Sequence, residues 1–98
     1  MNKDSLTERL GIMLWHIRIT QKKKVGTVAH RVKITTSRLE QLEKGLHVGN
    51  IDIYARVATV LKVELWEVLK DCQDDKVFKP IYNHFTMKAK ILKDRGLT

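Results

Sequence analysis

The chain has 98 residues, 43% hydrophobic and 31% charged, with a net charge of +8, so it can build one core but not two. It shows no apolar run of membrane-spanning length and no leader-like opening, which predicts a soluble cytoplasmic protein. Cys72 is the one cysteine, His16, His30, His47 and His84 lack ligand spacing, and no phosphate loop or nucleophile motif occurs; no catalytic, metal or cofactor chemistry is therefore expected.

The first predicted helix runs from about Ser5 to Ile19, with Asp4 or Ser5 as cap and Glu8 placed to close a capping box. Leu6, Leu10, Met13, Leu14 and Ile17 form one apolar stripe at helical spacing. Ile12, Trp15 and Ile19 form a second stripe on another face, which requires a second covering surface. That surface is either the C-terminal segment of the same chain or another subunit. Gln21 to Lys24 make a basic connector.

A second helix, from about Gly26 or Thr27 to Val32, is anchored by Val25, Val28, Ala29 and Val32. Lys33 stands in the following turn, where a left-handed backbone would favour glycine. The third helix has Thr35 as its N-cap, reaches Glu43 or Lys44 and stops at Gly45. Leu39 and Leu42 face inward, leaving Thr36, Ser37, Arg38 and Gln41 outside. Two short helices meeting at a tight corner, the second opening on small hydroxyl residues, read as a helix-turn-helix.

A fourth helix, from about Asn50 to Lys62, is expected to bury Ile51, Tyr54, Val57, Ala58 and Leu61. A fifth, from about Glu64 to Asp71, presents Leu65, Val68 and Leu69 with Trp66 beside them, and Trp66 is expected to belong to that apolar pattern. Residues 73–76 read as a linker. Pro80 suits the first position of a sixth amphipathic helix carrying Ile81, Tyr82, Phe85 and Leu92, whereas Val77 and Phe78 could form a short strand. The fold expected is all-α: a five-helix domain over 1–71 and an extension over 72–98 that packs on the first helix or mediates dimerisation. Ile12, Trp15, Ile19, Trp66, Phe78, Ile81, Tyr82 and Phe85 are the candidates for that docking or dimer contact.

The positive excess lies mostly before Gly49, where ten lysines and arginines face Asp4, Glu8, Glu40 and Glu43. Charge and helix-turn-helix therefore coincide, and the expected partner is double-stranded DNA. An RNA-binding module fits less well, because no aromatic platform or GxxG loop is present.

With these residues laid out, the segment from about Leu10 to Leu69 resembles the lambda-repressor-like helix-turn-helix family of phage repressors and Cro proteins. The nearest stretch is Thr35 to Gly45, supported by Val57 to Val63 and by Leu65 to Leu69. The resemblance implies that Thr35, Thr36, Ser37, Arg38 and Gln41 read or flank base edges. It implies a structural pair between Arg18 and Glu43, with Arg18 also close to a phosphate. Relatives open the second helix with Ser/Thr-Gln, but the ungapped position here holds Lys24 and Val25. Lys24 and the backbone near Gly26 are expected to replace that grip on phosphate. The phosphate set is Arg18, Lys22, Lys23, Lys24, Lys33, Lys44, His47 and Asn50.

The function this implies is a small Cro-like transcriptional repressor of a mobile genetic element, binding a palindromic operator as a homodimer. A second reading is an antitoxin-like module that neutralises a partner protein and also binds its own promoter. It draws on the Trp15 stripe and the apolar tail.

Overall fold

The computed structural model describes residues 6–46 and 51–94, with side chains described to residue 87. Among these residues six helices follow one another: α1 (Leu6–Thr20), α2 (Val25–Val32), α3 (Thr36–Glu43), α4 (Ile51–Val60), α5 (Leu65–Cys72) and α6 (Asp75–Asp94). The all-α expectation holds, and no strand occurs among the described residues. Asp4, Ser5, His47 and Asn50, and with them the expected caps of α1 and α4, lie outside the described residues.

The core grows around α1, which packs against α3, α4, α5 and α6, while α2 packs against α3 and α4. Leu10, Met13 and Leu14 of α1 are buried with Val28, Ala29 and Val32 of α2 and with Leu39 and Leu42 of α3. From the second half of the chain come Tyr54, Val57, Ala58, Leu61, Val68, Cys72 and Phe78. Leu14, Leu39, Leu42 and Leu61 are fully excluded from solvent, so the centre is a leucine layer joining the helix-turn-helix to α1 and α4.

Gly11 explains how closely α1 approaches α3. A Cβ built there would lie 1.9 Å from the carbonyl oxygen of Leu42, a backbone atom that cannot swing aside. Only a residue without a side chain permits this crossing. A glycine inside a helix costs about 1 kcal/mol relative to alanine, and here that cost secures the helix contact.

The first four helices end in one way. After α1, α2, α3 and α4 a residue with positive φ closes the helix: Lys22, Lys33, Gly45 and Lys62, with φ of 58°, 69°, 84° and 61°. At each end the two expected backbone bonds form, such as the Lys33 N–H to the His30 carbonyl and the Ile34 N–H to the Ala29 carbonyl. Three of these four positions hold lysine where glycine is favoured sterically.

The C-terminal segment differs from the sequence reading in three places. Residues 73–76 are not a linker, because Asp74 caps α6, its carboxylate accepting the Lys76 N–H at 3.0 Å, and the helix begins at Asp75. Val77 and Phe78 are helical rather than a strand. Pro80 lies inside α6 rather than at its first position, which removes one i→i−4 hydrogen bond near the start of a 20-residue helix.

Packing of α6 on α1 is aromatic and ionic. The Trp15 ring meets Phe85 edge-on at 5.1 Å and His84 at 5.5 Å between centroids. Arg9 sits 4.6 Å over the Phe78 ring and donates at 2.9 Å to both the Cys72 carbonyl and the Asp75 carboxylate. Its guanidinium holds the Asp75 carboxyl below the usual range. Ile12 is buried, and Ile81, Tyr82 and Phe85 are half-buried against the core.

Three apolar residues read as inward face solvent instead. Trp66 is 61% exposed, Ile51 58% and Leu6 40%, because each lies at or near a helix start and off the buried face.

Two stability measurements follow. Gly11→Ala destabilises the chain by about 1–3 kcal/mol in urea unfolding despite alanine's better helix propensity, since the added methyl overpacks a backbone contact. Lys33→Gly raises stability by about 0.5–1 kcal/mol, because relief of the left-handed strain outweighs the greater freedom of the unfolded chain.

Candidate nucleic-acid interface

The exposed end of the helix-turn-helix is built from two helix N-termini. Thr35 precedes α3 in extended conformation, and its side-chain oxygen accepts the Arg38 N–H at 3.1 Å. That bond satisfies one of the donors left over in the first turn and fixes where α3 begins. Leu39 and Leu42 then turn into the core and set the helix rotation. With that rotation fixed, Thr36, Ser37, Arg38 and Gln41 are all exposed.

The start of α2 lies beside this surface. A Cβ on Gly26 would sit 3.7 Å from the Thr36 hydroxyl oxygen. Lys24 holds the N-cap position of α2 with extended backbone and makes no side-chain cap bond. The first intrahelical bond after it runs from the Val28 N–H to the Lys24 carbonyl at 3.1 Å. The N–H groups of Val25, Gly26 and Thr27 therefore have no acceptor within the helix. Two positive helix ends and exposed Lys24 thus converge, an arrangement that attracts an anion such as a phosphate.

Behind the exposed end, α3 is tied to α1 by a two-pronged ion pair. Arg18 donates from Nε to Glu43 at 2.7 Å and from the adjoining guanidinium nitrogen at 3.0 Å. Its third nitrogen donates to the Lys23 carbonyl at 2.7 Å. The side chains are 13% and 5% exposed. Burial pushes the Glu43 carboxyl above its usual range, against the opposing pull of Arg18. Because all three Arg18 nitrogens point inward, its place is that of a strut between α1, α3 and the connector rather than an open phosphate donor.

The expected phosphate lysines divide in the same way. Lys22, Lys24, Lys33 and Lys44 are exposed, whereas half-buried Lys23 turns back to the Val60 carbonyl at 3.3 Å. His47 and Asn50 lie outside the described residues. The Gln21 amide donates to the Leu61 carbonyl at 2.8 Å and ties the connector to the end of α4.

Gly11 and Arg9 are absent from the sequence reading of the site and its scaffold, and Gln21 enters it only as part of the basic connector. Gly11 carried a signal, since a glycine amid an apolar helical stripe marks a close backbone approach. Arg9 and Gln21 carried none, because their partners are backbone carbonyls 63 and 40 residues away.

Among the described residues no helix is long and apolar enough to cross a membrane, and no cluster of histidine, cysteine and carboxylates could hold a metal ion. Cys72 is buried, with its thiol pushed up to about 12 mainly by desolvation.

No protein-family model matches the chain, and no similar protein is found among the curated ones. Among solved structures the chain is similar to the clp gene regulator ClgR from Corynebacterium glutamicum, with a TM-score of 0.67 and 19% identity over 96% of this chain and 97% of that one. At that identity the likeness establishes a shared fold.

Removing one partner of the Arg18–Glu43 pair exposes what the strut holds. Arg18→Met leaves Glu43 buried without its counter-charge and costs about 3–5 kcal/mol in chemical unfolding. Adding Glu43→Leu to that variant recovers most of the loss, because no uncompensated charge then remains.

Proposed function

We propose that the chain is a sequence-specific DNA-binding transcription regulator, a small Cro-like repressor that acts in the cytoplasm as a homodimer on a palindromic operator. The observation that carries this reading is the presentation of α3. It offers Thr36, Ser37 and Arg38 of its first turn and Gln41 one turn further on to solvent, while Glu43 at its other end is anchored to α1 through Arg18. A helix with an exposed polar N-terminal end and a fixed C-terminal end suits insertion into a major groove.

Within that reading, Gln41 makes a paired contact with a base edge, and Arg38 pairs with guanine or reaches a neighbouring phosphate. Thr36 and Ser37 supply shorter contacts, and Thr35 keeps its hydroxyl hydrogen for a phosphate while its oxygen caps the helix. Lys22, Lys24, Lys33 and Lys44, with the α2 N-terminus, supply sequence-independent affinity. The resemblance of the fold to a clp gene regulator supports the same class of function. Control of a mobile element's own operon is the role that the phage-repressor resemblance favours.

The protein-neutralising alternative drew on the Trp15 stripe and the apolar tail. In this chain Trp15 packs against Phe85 and His84 of α6, so the Trp15 stripe does not call for a partner protein.

Selection of duplexes from a random library gives the operator, and titration at fixed salt then tests the assigned face. Gln41→Ala and Arg38→Ala each weaken operator binding by about 1–3 kcal/mol and relax discrimination at one position. Lys24→Ala weakens all duplexes alike and lowers the slope of log affinity against log salt by about 0.9. Unchanged affinity in all three variants refutes the assignment, as does a failure to enrich any sequence at low salt.

A further inference from the structure

The short connector between α1 and α2 is more heavily bonded than its run of lysines suggests. Gln21, Lys22 and Lys23 donate their backbone N–H groups to the Ile17, Ile19 and Arg18 carbonyls at 3.0, 3.0 and 3.1 Å, which closes α1. Lys23 is also held from its other side, where its carbonyl accepts the Arg18 guanidinium at 2.7 Å. Arg18 therefore engages both polar backbone groups of Lys23, one through its own carbonyl and one through its side chain.

The side chains of the connector reach the opposite way, to the end of α4. The last carbonyls of a helix have no partners within the helix itself. Here the Val57, Ala58 and Thr59 carbonyls accept the N–H groups of Leu61, Val63 and Lys62. The next two in the chain accept from the connector: Val60 from Lys23 Nζ at 3.3 Å, and Leu61 from the Gln21 amide at 2.8 Å. The α1–α2 connector is thus part of the C-terminal cap of α4, with the Lys23 ammonium at the negative end of that helix. Lys22 and Lys24 on either side are exposed, whereas Lys23 is half-buried and directs its charge at a carbonyl.

We infer that Lys23 and Gln21 are positioning residues: they clamp the connector between the Arg18 strut and the end of α4, and so hold the N-terminus of α2 where it meets a phosphate. Lys24, the residue after the clamp, is the N-cap of α2, and the N–H groups of Val25, Gly26 and Thr27 follow it directly. Their direction is set by the backbone before them, and that backbone is fixed at Lys23 by three hydrogen bonds. The far anchor is firm as well, because Leu61 is fully buried in the core. Lys23 then acts through Lys24 and α2 and touches no phosphate, which separates its role from that of its two neighbours. The purpose of the clamp rests on the DNA-binding reading, whereas its effect on α2 does not.

Two measurements on the full chain test the clamp. Amide hydrogen exchange reads it without DNA: Lys23→Met and Gln21→Ala are each expected to lower protection of the Val28 N–H, the first bond of α2, about three- to tenfold. Protection of the Leu39 N–H, the matching bond of α3, is expected to stay unchanged. Titration with a selected operator, at a temperature where every variant is folded, reads the consequence. Both variants are expected to bind about three- to tenfold more weakly at the wild-type slope of log affinity against log salt, whereas Lys24→Ala flattens that slope. Unchanged protection of Val28 in both variants overturns the inference, as does a loss shared equally by Val28 and Leu39, or undiminished operator affinity in both. A salt slope lowered by Lys23→Met as much as by Lys24→Ala also overturns it, since Lys23 then grips a phosphate itself. A wild type that binds no duplex refutes the DNA-binding reading, and the exchange result alone then decides the clamp.

Discussion

The contact on which the rest depends is the seam between α1 and α3. Two features two helical turns apart on α1 define it: Gly11, which lets the Leu42 carbonyl come close, and Arg18, which grips Glu43. The first is steric and tolerates almost no change. The second is electrostatic and directional, two parallel bonds that fix the angle as well as the distance. Together they set where α3 sits, and its outward-facing residues inherit that placement. The pair need not add net stability, since the cost of desolvating both charges is comparable to their attraction. What the seam supplies is a unique position for a short helix that would not hold its own conformation in water.

The lysines at the helix ends show a different compromise. Placing an L-residue with a side chain in the left-handed region costs about 1–2 kcal/mol. A cation beside a helix C-terminus recovers about 0.3–1 kcal/mol of that. The remainder is unfavourable at Lys22, Lys33 and Lys62, while Gly45 adopts the same conformation without the penalty. Stability alone would therefore place glycine at all four corners. The three lysines instead put mobile positive charge at exposed turns, and in a chain of net charge +8 that charge adds to the field around the helix-turn-helix.

How much was legible in the sequence follows from the range of each interaction. The limits of α3 could be read directly, because the Thr35 cap and the Gly45 stop act within a few residues of themselves. So could the inward faces of α1 through α4, where helical period and burial agree for Leu10, Val28, Leu39 and Val57. The start of α6 was harder. Asp74 and Asp75 look like linker residues until one carboxylate is seen capping a helix and the other is held by Arg9 from the opposite end of the chain. Trp66 misled for the opposite reason: its spacing with apolar neighbours is helical, but a helix in a corner buries only one stripe, and the indole falls off it. The ion pair between Arg18 and Glu43 is suggested by family likeness alone, since no local rule joins charges 25 residues apart.

The two ends of the apolar inventory then separate by what covers them. The second stripe of α1 reads in the sequence as a surface awaiting either the tail or a partner, and in the fold α6 lies on it, with Phe85 against Trp15 and Phe78 under Arg9. Once that face is occupied within the chain, the large exposed aromatic side chain among the described residues is Trp66 of α5. The C-terminal helix thereby acts on the site without touching it. By covering α1 it stabilises the element to which α3 is anchored, and because α5 packs against both α1 and α6, it also supports the helix that carries Trp66. Loosening α6 would therefore disturb the anchoring of α3 and the presentation of Trp66 together, which makes α6 part of the scaffold of the helix-turn-helix.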